Sequence, residues 1–203
     1  PLKTRGGKNV TLASLLHEAI SRGCQEVHMR AEDPHAPTHG LRDDELDAIG
    51  RAVGIGAVKY ADLSNDLVRD YVFDLDRMVA FEGDTGPYLQ YAYARIRSII
   101  RKGGDDGQGA ALHITHTEER LLILCLMKWN DVVHGASDNL EPHRIATYLR
   151  SLAAAFNAFY QACPVLKASS AELRRSRLRL ADLTGRVLAD GLDLLGISAP
   201  SRM

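Results

Sequence analysis

A chain of 203 residues is long enough for one large or two small domains, and its formal net charge of −1 argues against a uniformly basic nucleic-acid binder while leaving room for a basic face within a neutral total. A hydrophobic content of 45% is that of an ordinary globular protein, and no apolar run approaches the roughly 20 residues of a membrane span. The start lacks the apolar core of a signal peptide, and the odd, widely spaced Cys24, Cys125 and Cys163 read as thiols of a reducing compartment, with neither a disulfide framework nor a C-x-x-C metal pair.

The chain opens on Pro1 rather than methionine, which fits a piece of a longer parent. Residues 1–12 read as a basic, glycine-containing loop followed by a short strand from Asn9 to Leu12. An amphipathic helix is predicted over Ala13 to Arg22, with Leu15, Leu16, Ala19 and Ile20 on one face. The prolines and glycine of Ala31 to Gly40 predict a loop. Asp43, Asp44 and Glu45 form an acidic helix start leading through Ile49 and Val53, and a second helix is read from Ile55 through Val58 and Tyr60. Tyr71, Val72 and Phe73 are β-prone and expected to stay extended.

Asp84-Thr85-Gly86-Pro87 is a helix start, in which Asp84 or Thr85 caps the first turn and Pro87 lacks only an N–H that would have no helical partner. Tyr88, Tyr91, Ala92, Arg95, Ile96, Ile99 and Ile100 follow at helical spacing, and Arg97, Arg101 and Lys102 enrich the end of the helix with positive charge. Gly103 to Gly109, rich in glycine and aspartate and without an apolar anchor, reads as a mobile linker. Three long helical patterns follow, over about Thr117 to Ala136, Pro142 to Ala162 and Ser170 to Leu195. Their apolar stripes are wide enough to share a core with the Tyr88 helix, which makes the fold class all-α, a helical bundle.

The run Phe81-Glu82-Gly83-Asp84-Thr85-Gly86-Pro87-Tyr88-Leu89-Gln90-Tyr91-Ala92-Tyr93-Ala94-Arg95 resembles the helix that leads into the anticodon-binding domain of arginyl-tRNA synthetases. Gly54 to Leu63 before it, Leu140 to Leu149 with Phe156-Asn157-Ala158-Phe159-Tyr160 and Cys163 to Leu166 after it, and Leu194 to Ile197 with Ala199 to Met203 at the end agree in order and spacing. The resemblance implies the C-terminal half of such an enzyme. Residues 1–83 would hold the end of the catalytic domain and a helical connecting region, and residues 84–203 the α-helical anticodon-binding domain. It implies a cytoplasmic, monomeric protein whose partner is the arginine transfer RNA. ATP with magnesium, and L-arginine, would serve only the full-length enzyme, which joins arginine to tRNA through arginyl-adenylate.

Lys3-Thr4-Arg5-Gly6-Gly7 resembles a degenerate form of the signature loop that holds ATP phosphates, with Lys3 or Arg5 as the phosphate-facing cation; a solvated basic terminus is the plainer reading. By resemblance Tyr160 and Met203, with Phe159 and Arg144, serve anticodon binding, against an ordinary core aromatic and a frayed terminus. Tyr88, Tyr91 and Arg95 share one side of their helix and Gln90 turns away, so either side could meet tRNA while the other packs at a domain junction. Arg174, Arg175, Arg177 and Arg179 read either as phosphate contacts or as a solvated face paired with carboxylates such as Glu172 and Asp182. His35 with His39 and His113 with His116 have zinc-like spacings but no third ligand, and no metal site is read from them. A stand-alone RNA-binding module and a helical interaction scaffold are the competing functions. No H-x-G-H motif occurs at any of the 8 histidines, so no catalytic residue is assigned. Incubation of this chain with ATP, arginine and tRNA is therefore expected to give no charged tRNA in an acid-gel assay, and charging would reveal an active site.

Overall fold

The computed structural model describes residues 11–66 and 74–203. Among these the chain forms eight helices: α1 (Leu12–Ala31), α2 (Asp43–Leu63), α3 (Leu75–Met78), α4 (Gly86–Gly103), α5 (Thr117–Met127), α6 (Trp129–Asn139), α7 (His143–Ala162) and α8 (Ala171–Leu194). The architecture is all-α, as the periodicity predicts. α1 packs on α2, α2 on α4, and α4, α5, α7 and α8 close the bundle, with α6 against α7.

Helix α1 starts earlier and runs longer than the pattern indicates. Thr11 caps it, its hydroxyl accepting from the Ser14 amide at 3.1 Å, so Leu12 is helical rather than the end of a strand. Asn9 and Val10, and the β-prone Tyr71 to Phe73, lie outside the described residues. The helix continues to Ala31 because Ala19, Gly23 and Val27 carry the buried stripe onward, and a stripe passing through glycine gives a weak hydropathy signal. Helix α2 is one element where the sequence reads as two. Its Gly50 and Gly54 meet Gly23 and Ala19 in an antiparallel contact so close that a Cβ on Gly54 would fall 2.7 Å from the Ile20 Cα. These glycines are sites of backbone approach, not helix stops.

Thr85 is the cap of α4: its Oγ1 accepts from the Tyr88 amide at 3.2 Å and its hydroxyl donates to the Ala80 carbonyl at 2.6 Å. Asp84 has a different task. It accepts from the Tyr60 hydroxyl at 2.6 Å and pairs with Arg150 at 3.2 Å, so one carboxylate ties α2 to α7 where α4 begins. Burial, then the hydrogen bond to Asp84, pushes the Tyr60 phenol far above its ordinary range.

The pattern read as one helix over 117–136 divides at Lys128. The Cys125 carbonyl accepts from the Lys128 amide at 3.2 Å, tightening the last turn of α5, and from the Tyr148 hydroxyl at 3.1 Å. Trp129, opening α6, then stacks on Tyr148 with ring centroids 5.4 Å apart.

The segment from Gly103 to Gly109 is anchored, not free. Arg174 donates to the Gly103 carbonyl at 2.6 Å, Arg175 pairs with Asp105 at 3.1 Å, and Arg179 donates to the Ala110 carbonyl. Gly107, at φ 71°, lies so close to α8 that a Cβ would fall 2.6 Å from the Arg179 amide nitrogen. Arg177 turns inward, its Nε donating to Glu119 at 2.7 Å, with the pair 8% and 0% exposed. Arg174, Arg175, Arg177 and Arg179 are thus engaged with protein groups: Arg177 is buried rather than solvated, while Arg175, half exposed and paired with Asp105, fits the reading of a solvated face with carboxylate partners. Burial alone would raise the Glu119 carboxyl, but the Thr115 amide, Arg177 and the His116 amide together hold it below its ordinary value.

Two cores result. The larger includes Leu89, Ile96, Leu149, Leu152, Phe156, Phe159, Leu178 and Leu188, and the smaller joins Val27, Leu46 and Val53 to Phe81, Ala94 and Met203.

Replacement of Gly54 by valine is expected to destabilise the chain by about 1–3 kcal/mol through overpacking, whereas Gly135→Ala, where an added Cβ meets nothing within 4 Å, should stabilise it by roughly 0.5–1 kcal/mol; urea midpoints check both. A carboxyl with a depressed folded-state pKa contributes stability above its unfolded value, and that contribution is lost as pH falls. Glu119→Gln is therefore expected to lower stability at neutral pH by about 3–5 kcal/mol and to flatten the acid loss seen below about pH 4.3.

Candidate nucleic-acid interface

The site grows from the exposed stripe of α4. Burial of Leu89, Ala92 and Ile96 turns Tyr88, Tyr91 and Arg95 outward together, because positions three and four apart share a helix face. Gln90 points the other way and is fully buried, its Nε2 donating to the Ala52 carbonyl at 3.1 Å and the Ser198 carbonyl at 2.7 Å. The face assignment made from spacing is therefore right, and it places Gln90 at a packed junction. α7 contributes Asn157, the loop before α4 contributes Phe81, Glu82 and Gly83, and the end of α1 contributes Arg30. With the stripe they line a cleft of about 330 Å³.

Cations and rings alternate around this cleft. The Arg30 guanidinium lies 4.0 Å from the Phe81 ring centre. Phe81 meets Tyr91 edge-on at 6.4 Å. Arg95 lies 4.7 Å from the centre of the Tyr160 ring, which in turn stacks on Phe156 at 6.1 Å. Arg95 donates to Asn157 Oδ1 at 3.4 Å, and Asn157 Nδ2 donates to the Tyr88 hydroxyl oxygen at 2.9 Å. Among the described residues Arg95 has no carboxylate within ion-pair distance, so its charge is held by a ring face and an amide. The arrangement offers flat surfaces for stacking and a row of polar atoms at one edge.

Tyr160 is half-buried beneath Arg95 and supports the cleft from below. Met203 is 4% exposed and lies in the smaller core, which Phe81 also enters. Two residues assigned from the sequence lie outside this cleft. Phe159 is fully buried in the larger core and presents no surface to a ligand. Arg144 sits in the first turn of α7, pairs with Glu141, and is on the order of 24 Å along the helix from Tyr160. Lys3, Thr4 and Arg5 lie outside the described residues. Sequence reasoning passed over Asn157, Phe81 and Arg30. The first two lie inside the quoted motifs, Asn157 one turn before Tyr160, but Arg30 has no local signal because it depends on α1 running to Ala31. Among the described residues no three His, Cys, Asp or Glu side chains gather in a group that could hold a metal ion, and no helix is long and apolar enough to cross a membrane.

Comparison with known proteins gives the following. Residues 89–203 match the family of DALR anticodon binding domains, and residues 1–75 match the catalytic domain of class I (R) tRNA synthetases. An arginine–tRNA ligase from Thermobifida fusca is 50% identical over 204 residues, covering 100% of this chain and 34% of the relative. One from Edwardsiella ictaluri is 46% identical over 205 residues, with coverages of 100% and 34%. The chain spans about a third of the length of the curated relatives it matches. Among solved structures, the Thermus thermophilus arginyl-tRNA synthetase superposes with a TM-score of 0.84 at 36% identity, over 96% of this chain and 32% of that one. The Plasmodium falciparum arginyl-tRNA synthetase gives 0.84 at 30% identity, over 96% and 34%.

Proposed function

The chain belongs to the family of DALR anticodon binding domains, and from that premise we propose that it recognises the anticodon of arginine transfer RNA as one part of a longer arginine–tRNA ligase. The parent reaction joins arginine to tRNA with ATP, and the share carried by this chain is recognition. Residues 84–203 form the recognition domain, and residues 1–83 carry the end of the catalytic domain and the helical connecting region.

The observation that carries this reading is the cleft on α4 in which cations and rings alternate. A base caught from a loop needs a flat surface to stack on and polar atoms along its edge. Tyr88 and Tyr91 supply the surface, with buried Phe81 behind Tyr91, and Arg95, Asn157 and the Tyr88 hydroxyl supply the edge. All arginine codons carry a middle guanine, so the cognate anticodons carry cytosine there, and a pocket for one base suffices. Arg95, free of a carboxylate among the described residues, is placed to donate to the ring acceptors of a cytosine. Tyr160 holds that guanidinium flat, and Met203 lies in the smaller core that Phe81 also enters. Arg30, whose Nε is paired with Glu26 at 2.7 Å, lies over the Phe81 ring and braces that wall of the cleft.

Fluorescence anisotropy with anticodon stem-loops tests this. The affinity of the chain is expected to fall with salt, and Tyr160→Ala and Tyr88→Ala should each weaken binding by roughly 1–3 kcal/mol, the worth of a base–aromatic stack or its support. Equal binding of loops with every middle base would overturn the proposal.

A further inference from the structure

Residues 197–203 follow the last helix without regular secondary structure, yet their path is closely held. Lys59 Nζ of α2 donates to the Gly196 carbonyl, Gln90 Nε2 of α4 to the Ser198 carbonyl at 2.7 Å, and Arg101 Nη1 of α4 to the Ser201 carbonyl at 3.0 Å. Each bond runs from a side chain of the folded body to a backbone oxygen of the tail, so it sets the course of the chain whatever side chains the tail carries. Between these ties the tail passes from one core to the other. Ile197, 2% exposed, belongs to the larger core, and Met203, 4% exposed, to the smaller one, which also holds Phe81.

Gln90 stands at the crossing. It is fully buried, and its second bond, 3.1 Å to the Ala52 carbonyl, registers α2 by the same amide that registers the tail. Helix α2 makes room for it: a Cβ on Gly56 would fall 2.8 Å from Gln90 Nε2. A buried amide is unfavourable unless bonded, and an apolar side chain could fill this space. What the amide supplies beyond volume is the alignment of the tail with α2 and α4.

Resting on the reading of the cleft as a base-binding site, we propose that Gln90 is a positioning residue for base discrimination: through Ser198 it fixes the tail, and through the tail it fixes Met203 in the smaller core that also holds Phe81. Gln90 touches no base. Lys59 and Arg101 secure the tail on either side of it.

The test uses the full chain and Gln90→Met, which keeps the volume and removes both donors. In wild type, the stem-loop with a middle cytosine should bind more tightly than the one with a middle uracil. In Gln90→Met that ratio is expected to fall on the order of fivefold to tenfold, the effect of about one hydrogen bond, and carboxypeptidase should release Met203 faster. Deletion of residues 198–203 should lower the ratio equally, and the combined variant should lower it no further. A residue of merely structural importance would reduce stability and affinity for both loops while leaving the ratio unchanged. An unchanged ratio in folded Gln90→Met, or a combined loss exceeding that of the deletion, overturns the proposal. Should Gln90→Met fail to fold, Arg101→Met reads the same latch through Ser201, with a lowered ratio supporting it and an unchanged one overturning it. If wild type shows no preference among middle bases, the reading of the cleft fails separately. The latch is then judged by carboxypeptidase alone, where faster release in Gln90→Met supports it and unchanged release overturns it.

Discussion

Helix α4 has to satisfy two cores at once, and that demand shapes the rest of the molecule. Leu89, Ile96, Ile99 and Ile100 enter the larger core against α7 and α8, while Ala94 enters the smaller core with α1, α2 and the chain end. A helix claimed on two sides has a narrow strip left for solvent. On α4 that strip carries Tyr88, Tyr91 and Arg95, and the neighbours that bury its flanks also wall the cleft. Arg30 comes from the pair packed on one side, and Asn157 and Tyr160 come from α7 on the other. The candidate site is what remains of α4 after packing.

Bonds from side chains to backbone recur where apolar contacts are few. Arginines of α8 hold the 103–110 segment through carbonyls and Asp105, and Lys59, Gln90 and Arg101 hold the tail in the same way. A backbone carbonyl left in a crowded place needs a donor, and long side chains from a neighbouring helix reach it without requiring the segment to be helical. This use of cations also reconciles a net charge of −1 with an RNA-binding reading. Arg97 and Arg186 face Asp182, and Arg177 faces Glu119, so much of the positive charge is neutralised within the fold. Among the described residues Arg95 is not, and a local field near an open cleft matters more to a polyanion than the total.

Much of this was legible in the chain. The bundle helices follow from apolar spacing, the start of α4 from Thr85-Gly86-Pro87, and the placing of Tyr88, Tyr91 and Arg95 on one helix face, opposite Gln90, from helix geometry alone. The failures share a cause. The helix of residues 43–63 read as two, with a break between Val53 and Ile55, because hydropathy cannot record that another backbone lies against Gly54. The Gly103 to Gly109 segment read as free because its anchors are arginines distant in sequence. Phe159 and Tyr160 are adjacent letters of one motif, and only packing decides that one ring goes inward and the other lies beneath Arg95.

By itself the sequence determined which segments are helical and which residues share a helix face, since these depend on neighbours within a few positions. Tertiary structure decided which of two faces stays open, which cations are already neutralised, and that Arg30, Phe81, Arg95 and Asn157 meet around one space. Those outcomes depend on contacts between residues tens of positions apart, and the local pattern of a chain carries no record of them.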